Sequence, residues 1–203
     1  MLLNYLNKRT EEEIIKSIKI CKLNSIRGDS NSKSKLIRGE NLEVLKYLLD
    51  EKKLREKIDL IYIDPPFSTN NVFTISKDKA NSISRSKGDN IAYDDSLNGH
   101  EFLEFIRQRL ILLRELLSDN GSIYFHIDYK IGHYIKILMD EVFGKNNFLN
   151  DLTRIKCNPK NFSRRSYGNV KDMILFYSKT GNHIWNEPKE KQSEEEISRL
   201  FKK

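Results

Sequence analysis

Several features that define protein classes are scarce in this sequence. It has two cysteines in 203 residues, Cys21 and Cys157, which are too few for a disulfide framework or a tetrahedral metal site. No apolar run approaches the ~18 residues of a membrane-spanning helix, and the first residues lack a cationic stretch ahead of an apolar one. We therefore expect a cytoplasmic protein with no metal and no membrane partner.

Glycine is also sparse and evenly spread. The nine glycines lie at positions 28, 39, 88, 99, 121, 132, 144, 168 and 181, and the closest neighbours, such as 28 and 39, are eleven residues apart. A glycine-rich turn that brings backbone against a nucleotide needs glycines about two to five residues apart. The sequence therefore contains no such turn.

Charge, in contrast, is abundant and biased. The chain has 36 Lys and Arg against 29 Asp and Glu, a net charge of +7, which favours a polyanionic partner such as nucleic acid. With 38% apolar and 32% charged residues, the chain is too apolar to be disordered and too charged to be a membrane protein.

Apolar periodicity predicts alternating helices and strands. Thr10 is the expected N-cap of the first helix, with Glu13 completing a capping box. The predicted helices cover residues 10–23, 41–49, 99–117, 131–143 and 193–201, and the predicted strands cover 58–63, 122–127, 148–155 and 173–178. The polar stretch 68–98 is expected to be a functional or disordered loop, and residues 119–121 are expected to stop the helix before them.

This alternation predicts the α/β fold class, with helices on both faces of the sheet. The apolar strand 58–63 (IDLIYI) reads as buried on both faces, as in parallel sheets. The last two strands are expected to form an antiparallel edge. Asp64 would then lie at the carboxyl end of its strand, where ligands bind in open α/β sheets.

The most informative motif follows that strand: Asp64-Pro65-Pro66-Phe67. Two successive prolines fix φ near about −65° and remove two backbone donors, so neighbouring carbonyls can point outward. A carboxylate beside those carbonyls makes an acceptor-only pocket for an amino group, and Phe67 offers a flat face for a base. The motif thus fits the exocyclic amine of a nucleobase, although a proline turn that only ends a strand is the alternative interpretation.

At this motif the sequence resembles the amino-methylating DNA methyltransferases that use S-adenosylmethionine. Asp in the first position is typical of their adenine-N6 members rather than the cytosine-N4 ones. The resemblance extends over residues 36–49 (LIRGENLEVLKYLL), 58–67, 109–127, 138–148 and 154–179. The order of these stretches matches the permuted subgroup, in which the catalytic half precedes the cofactor half.

The resemblance implies a Rossmann-like methyltransferase sheet, incomplete in this chain, and a reaction. A target adenine leaves the duplex and stacks on Phe67, while Asp64 and the Pro65 carbonyl accept hydrogen bonds from its amine and lie beside the bound S-adenosylmethionine. Pro65 and Pro66 stiffen the corner. The implied catalytic residues are thus Asp64, Pro65, Pro66 and Phe67, and the implied cofactor-binding residues are Asp64 and Pro65.

The resemblance also implies three regions. Residues 1–35 hold an N-terminal helix and polar linker, 36–185 the catalytic half of the methyltransferase domain, and 186–203 the start of a C-terminal or target-recognition region. The glycine-rich loop that grips the cofactor would lie beyond these. We therefore expect the N-terminal part of a methyltransferase, either one polypeptide of a split enzyme or the product of a truncated gene.

Residues 154–167, termed the basic segment, combine cations with aromatic side chains. Such interleaving suits a groove that follows phosphates and cradles a flipped base, and a solvated loop is the alternative. The candidate DNA-binding residues are Lys156, Lys160, Phe162, Arg164, Arg165 and Tyr167.

The expected function is site-specific adenine-N6 methylation of duplex DNA in a restriction–modification system. Three alternatives stay open. The chain is a catalytically inactive DNA-binding remnant, it acts on cytosine N4, or the same pocket takes the planar amine of an RNA base or a protein amide.

Overall fold

A computed structural model of the chain describes residues 2–24, 34–65, 72–75, 90–94, 99–156, 165, 167, 170–189, 191, 193–194 and 198–199. The helices are α1 (Glu11–Ser17), α2 (Asn41–Asp50), α3 (Gly99–Leu116) and α4 (Gly132–Phe143), the last followed by a 3-10 turn, Lys145–Asn147. The strands are β1 (Ile58–Ile63), β2 (Val72–Ile75), β3 (Asn90–Asp94), β4 (Leu117–Asp128), β5 (Phe148–Ile155) and β6 (Lys171–Ser178).

Four strands form one mixed sheet in the order β1-β4-β6-β5. β1 and β4 are parallel, while β6 is antiparallel to both of its neighbours, β4 and β5. β5 therefore runs in the same direction as β1 and β4, and β6 alone is reversed. The predicted α/β class and the antiparallel pair at the edge are confirmed.

Several predicted boundaries are wrong. The stretch 68–98, expected to be a loop, contains β2 and β3, which pair as a separate antiparallel two-stranded sheet. The first helix ends at Ser17 rather than at residue 23, and residues 119–121, expected to stop a helix, lie within β4. Most of the helix predicted at 193–201 falls outside the described residues.

One face of the sheet, the closed face, carries the hydrophobic core. Side chains alternate along each strand, and one set, which includes Ile123, Phe125 and Leu175, joins a single buried cluster with apolar residues of all four helices. α3 is the centre of this layer, since it contacts α1, α2 and α4. The closed face is therefore covered by every helix that is described.

The other face of the sheet, the open face, has no such helical layer among the described residues. Its β1 side chains Leu60 and Tyr62 are 62% and 59% exposed. Around β6, Phe176 is buried between Tyr124, stacked at 4.3 Å, and Trp185, whose ring centroid is 6.0 Å away. The expectations that β1 is buried on both faces and that helices cover both faces are thus wrong for this part of the chain.

The N-terminal segment is tied to α3 and α4 by buried charges. Glu141 pairs with Lys8 at 2.7 Å and with Arg107 at 2.9 Å. Burial opposes ionisation of Glu141, but these two cations outweigh it and hold the pKa of Glu141 below its usual value. The predicted Thr10–Glu13 capping box is confirmed. No helix of the described residues is long and apolar enough to cross a membrane.

Candidate active site

The proline motif begins where β1 ends. Asp64 and Pro65 follow Ile63, the last residue of the strand, and β4 runs parallel beside it. The predicted position of Asp64 at the carboxyl end of a strand is confirmed. Pro66 and Phe67 lie outside the described residues.

A cavity of about 330 Å³ opens beside this corner on the closed-face side. Asp64 and Pro65 both line it, together with apolar side chains of α2, α3, β1 and β4. Its other lining residues are Ile37, Gly39, Asn41, Val44, Leu45, Ile63, Phe105, Ile106, Arg109, Leu110, Leu113 and Phe125. The volume is at the lower end of the range typical of small-molecule sites.

Arg109 is the cation in the cavity wall. Its Nη2 lies 2.6 Å from Oε1 of Glu40 and its Nε donates to Oδ1 of Asn41 at 2.6 Å. The guanidinium carbon sits 3.4 Å from the centroid of the Phe105 ring. Burial lowers the pKa of Arg109 and Glu40 opposes that shift, so this wall holds a fixed and largely compensated charge.

On the open-face side, Asp64 meets a histidine. Nδ1 of His126 on β4 lies 3.0 Å from Oδ1 of Asp64. The other ring nitrogen, Nε2, lies 3.4 Å from Oδ2 of Asp172 on β6. Both contacts are possible because β6 is reversed, which brings its first residues to the edge where β1 and β4 end.

Asp172 is the centre of a charge cluster. Its side chain is 1% exposed, accepts a hydrogen bond from Arg154 at 3.2 Å and forms an ion pair with Lys156 at 2.5 Å. Burial raises the pKa of Asp172, but Lys156 and His126 outweigh burial and hold that pKa below its usual value. Asp172 is therefore an ionised carboxylate at neutral pH.

Among the described residues, no three His, Cys, Asp or Glu side chains are arranged to hold a metal ion.

The connection between β5 and β6, which contains most of the basic segment, starts and finishes at the same edge of the sheet. The Lys156 amide donates to the Val170 carbonyl at 2.7 Å, which closes the base of the connection between β5 and β6. The Lys156 ammonium is engaged with Asp172, whereas Arg165 is exposed and Tyr167 is 99% exposed. The candidates Lys160, Phe162 and Arg164 lie outside the described residues.

Sequence reasoning missed two members of this site. Asp172 stands before the predicted strand 173–178 and carried no motif signal, because its partners come from strands distant in sequence. Arg109 lay inside a stretch of family resemblance, but its place in a helix gave no reason to assign it to a cavity. His126 lies at the end of the predicted strand 122–127, where a side chain can either pack in the core or shape a pocket. Asp128, just beyond that strand, accepts hydrogen bonds from the amides of Lys130 and Ile131 at 3.0 and 3.4 Å.

Curated relatives are restriction–modification methyltransferases. The type II methyltransferase M.EcaI of Enterobacter cloacae is 38% identical over 99% of this chain and 42% of its own length. The EcoPI Mod subunit of a type III restriction-modification enzyme, from Escherichia phage P1, is 33% identical over 74% of this chain and 25% of its own length. The chain thus spans less than half the length of these relatives.

Among solved structures, the M1.HpyAVI–SAM complex matches 77% of this chain and 60% of its own, with a TM-score of 0.46 and 20% identity. The N6_N4_Mtase family, described as DNA methylase, matches residues 58–203. That match covers the proline motif, the sheet and the basic segment, and this chain therefore belongs to the N6_N4_Mtase family of DNA methylases.

Proposed function

We propose that this chain carries the catalytic half of an adenine-N6 DNA methyltransferase of a restriction–modification system. The observation that carries the proposal is the position of Asp64 and Pro65. They lie at the carboxyl end of β1, between a cavity and the edge of the sheet where the connection between β5 and β6 begins and ends.

The chemistry follows from the acceptors at this corner. The Asp64 carboxylate and the Pro65 carbonyl accept hydrogen bonds from the amine of an extruded adenine, and Phe67 stacks on its ring. These contacts aim the lone pair of the amine nitrogen at the donor methyl group. The nitrogen would form its new bond to the methyl carbon as the carbon–sulfur bond of a sulfonium donor breaks, and it would then release one proton to solvent. The role of the corner would therefore be mainly positioning and electrostatics.

S-adenosylmethionine is the proposed methyl donor, and the cavity is its proposed site in part. Asp64 and Pro65 line the cavity next to the corner where the amine would sit. Because the cavity walls are mostly apolar with a few fixed polar groups, they suit the mixed polarity of a nucleoside. The glycine-rich part of the donor site would come from residues outside this sequence.

Duplex DNA is the proposed substrate. The proposed DNA contacts come from the basic segment and include two exposed residues, Arg165 and Tyr167. The others are Lys156, Lys160, Phe162 and Arg164. Their support is the net charge of +7 and the placement of Lys156 and Val170 beside the corner. A DNA substrate also implies a cytoplasmic location. The choice of adenine rather than cytosine as the proposed target base rests on Asp64 in the first position of the motif.

The proposed partner is the cofactor-binding half of the enzyme, carried by a second polypeptide or by further chain. Leu60 and Tyr62 are more than half exposed on the open face, where such a half would pack. The proposed organisation is accordingly an N-terminal helix and linker at 1–35, a catalytic half at 36–185, and the start of a further region at 186–203.

Methyl transfer to defined DNA tests the proposal. The chain is co-expressed with its cofactor half, tritiated S-adenosylmethionine is supplied with genomic DNA of mixed sequence, and the labelled base is identified after the DNA is digested to nucleosides. We expect label in adenine, and Asp64→Ala to lower the rate by at least about 100-fold, because it removes an acceptor used in the transition state.

Asp59→Ala is the matched control, since Asp59 is an exposed carboxylate at the start of the same strand that accepts from Ser118. Full activity of Asp64→Ala would refute the assigned role. Label in cytosine N4 would refute adenine specificity alone, and DNA binding without any methyl transfer would favour the inactive remnant.

A further inference from the structure

His126 joins the Asp64 corner to a charge cluster in which Asp172 is buried while Arg154 and Lys156 are exposed. It lies on β4 and is 6% exposed. Its two ring nitrogens face two different carboxylates, Nδ1 toward Asp64 at 3.0 Å and Nε2 toward Asp172 at 3.4 Å. An imidazole ring between two carboxylates has its orientation set from both sides.

The two ends of this bridge differ in how firmly they are held. Asp172 is 1% exposed and is also paired with Lys156 and Arg154, so its carboxylate has a fixed place in the sheet. The Asp64 side chain is 59% exposed. Within the part of the chain that the structure describes, His126 is its one ion-pair partner. The rigid end therefore orients the ring, and the ring restrains the exposed carboxylate.

Such restraint is what the proposed chemistry requires of Asp64. An exposed aspartate samples several rotamers, but a carboxylate that aims an amine at a methyl group must hold one orientation, because misplacement by about 1 Å costs about 100-fold in rate. A carboxylate has two oxygens. If Oδ1 is engaged by His126, Oδ2 is left for the amine.

We propose that His126 is a positioning residue: oriented by Asp172, it holds Oδ1 of Asp64 so that Oδ2 faces the target amine. The effect on the reaction rests on the proposed function. The contact between His126 and Asp64 does not depend on that function. Arg154 and Lys156 thereby act on the Asp64 corner through Asp172, in addition to any contact that they make with DNA.

The contact is tested first on the chain alone, without activity. Long-range ¹H–¹⁵N correlation spectra of the imidazole rings are recorded for the wild type, Asp64→Asn and Asp172→Asn, and His126→Gln assigns the signals. We expect Asp64→Asn to move the Nδ1 resonance of His126 and Asp172→Asn to move Nε2. The exposed ring of His133 is the internal control. Unchanged His126 resonances in Asp64→Asn would overturn the proposal.

The consequence is tested by kinetics on the chain co-expressed with its cofactor half. His126→Asn keeps an amide at the position of Nδ1, while His126→Gln moves the amide toward the position of Nε2, and His126→Phe keeps neither. We expect kcat to fall about 100-fold in His126→Phe with KM for DNA nearly unchanged. We also expect His126→Asn to recover more of kcat than His126→Gln.

These outcomes separate the two proposals. If Asp64→Ala abolishes methyl transfer while His126→Phe leaves kcat intact, the positioning role is refuted and the proposed function stands. If Asp64→Ala leaves activity intact, the proposed function fails, and the spectra still decide whether the contact exists. Equal loss in His126→Asn and His126→Phe, with unchanged circular dichroism, would refute the specific hold on Oδ1.

Discussion

Neighbouring strands of the same sheet present residues to two very different surroundings. On the closed face, Phe125 is buried beneath the helical layer with Ile123 and Leu175. On the open face, Leu60 and Tyr62 of the adjacent strand are more than half exposed. The contrast teaches that the helical layer on one side supplies most of the apolar burial, whereas the β1 side chains on the other side are left uncovered by the described residues.

The largest effect is expected from the closed face. Phe125→Ala should lower the free energy of unfolding by about 4 kcal/mol, because it removes a fully buried ring and enlarges the cavity that Phe125 lines. Urea unfolding of the two proteins, followed by circular dichroism, measures the difference. A loss below about 1 kcal/mol would break the comparison, because the closed face would then not be the source of stability.

A somewhat smaller effect is expected where the N-terminal segment packs on the helical layer. Arg107→Ala should cost about 3 kcal/mol in the same assay, because it leaves the buried Glu141 carboxylate with only Lys8 and the Leu3 amide among its described partners. Arg55→Ala is the control, since Arg55 pairs with Glu115 near the surface and such pairs contribute less than about 1 kcal/mol. Equal losses in both variants would mean that the buried Arg107–Glu141 pair contributes no more to the free energy of unfolding than the surface pair of Arg55 and Glu115.

On the open face, removal of the buried Asp172 carboxylate should lower the free energy of unfolding by an amount that depends on pH. Asp172→Asn is expected to cost about 2 kcal/mol at pH 7, because hydrogen bonds to charged groups are lost. The folded-state pKa of Asp172 is lowered, so its carboxylate stabilises the fold above the pKa of the unfolded chain, and this contribution disappears as pH falls through the folded-state pKa.

The measurement is urea unfolding of wild type and Asp172→Asn at pH 7 and at successively lower pH. The gap between the two proteins should close toward acid. A gap that is constant or that widens as the pH falls would contradict an ionised, ion-paired Asp172.

The smallest effect is expected on the exposed part of the open face. Leu60→Ala should change the free energy of unfolding by no more than about 0.5 kcal/mol, as surface substitutions usually do. It serves as the matched control for Phe125→Ala, since both remove an apolar side chain from neighbouring strands. A cost above about 2 kcal/mol would show that this side chain is covered in solution.

Local signals predicted most of the fold. The limits of β1 and β5 agree with the structure to the residue. β1 is a mostly apolar run that ends at the Asp-Pro-Pro motif, and β5 follows the polar turn residues 144–147. The first helix was overextended, because its apolar periodicity continues past Ser17 while the chain does not remain helical. β2 was missed because its four residues, Val72–Ile75, stand within a long polar stretch.

The site was only partly accessible from sequence. The position of Asp64 was predicted correctly because the apolar strand and the proline motif that ends it are consecutive in sequence. The contact of Asp64 with His126, and of His126 with Asp172, depends on the strand order β1-β4-β6. The exposure of β1 was unpredictable for a related reason: an apolar strand looks the same in sequence whether its cover belongs to the same chain or to another.

The reversal of β6 has a consequence for how such a protein can change. β5 ends and β6 begins at one rim of the sheet, where the Lys156 amide donates to the Val170 carbonyl, so the strand ladder fixes both ends of the connection between them. Lengthening a loop between fixed ends costs little entropy. The connection can therefore change in length or sequence without changing the strand pairing on either side of it.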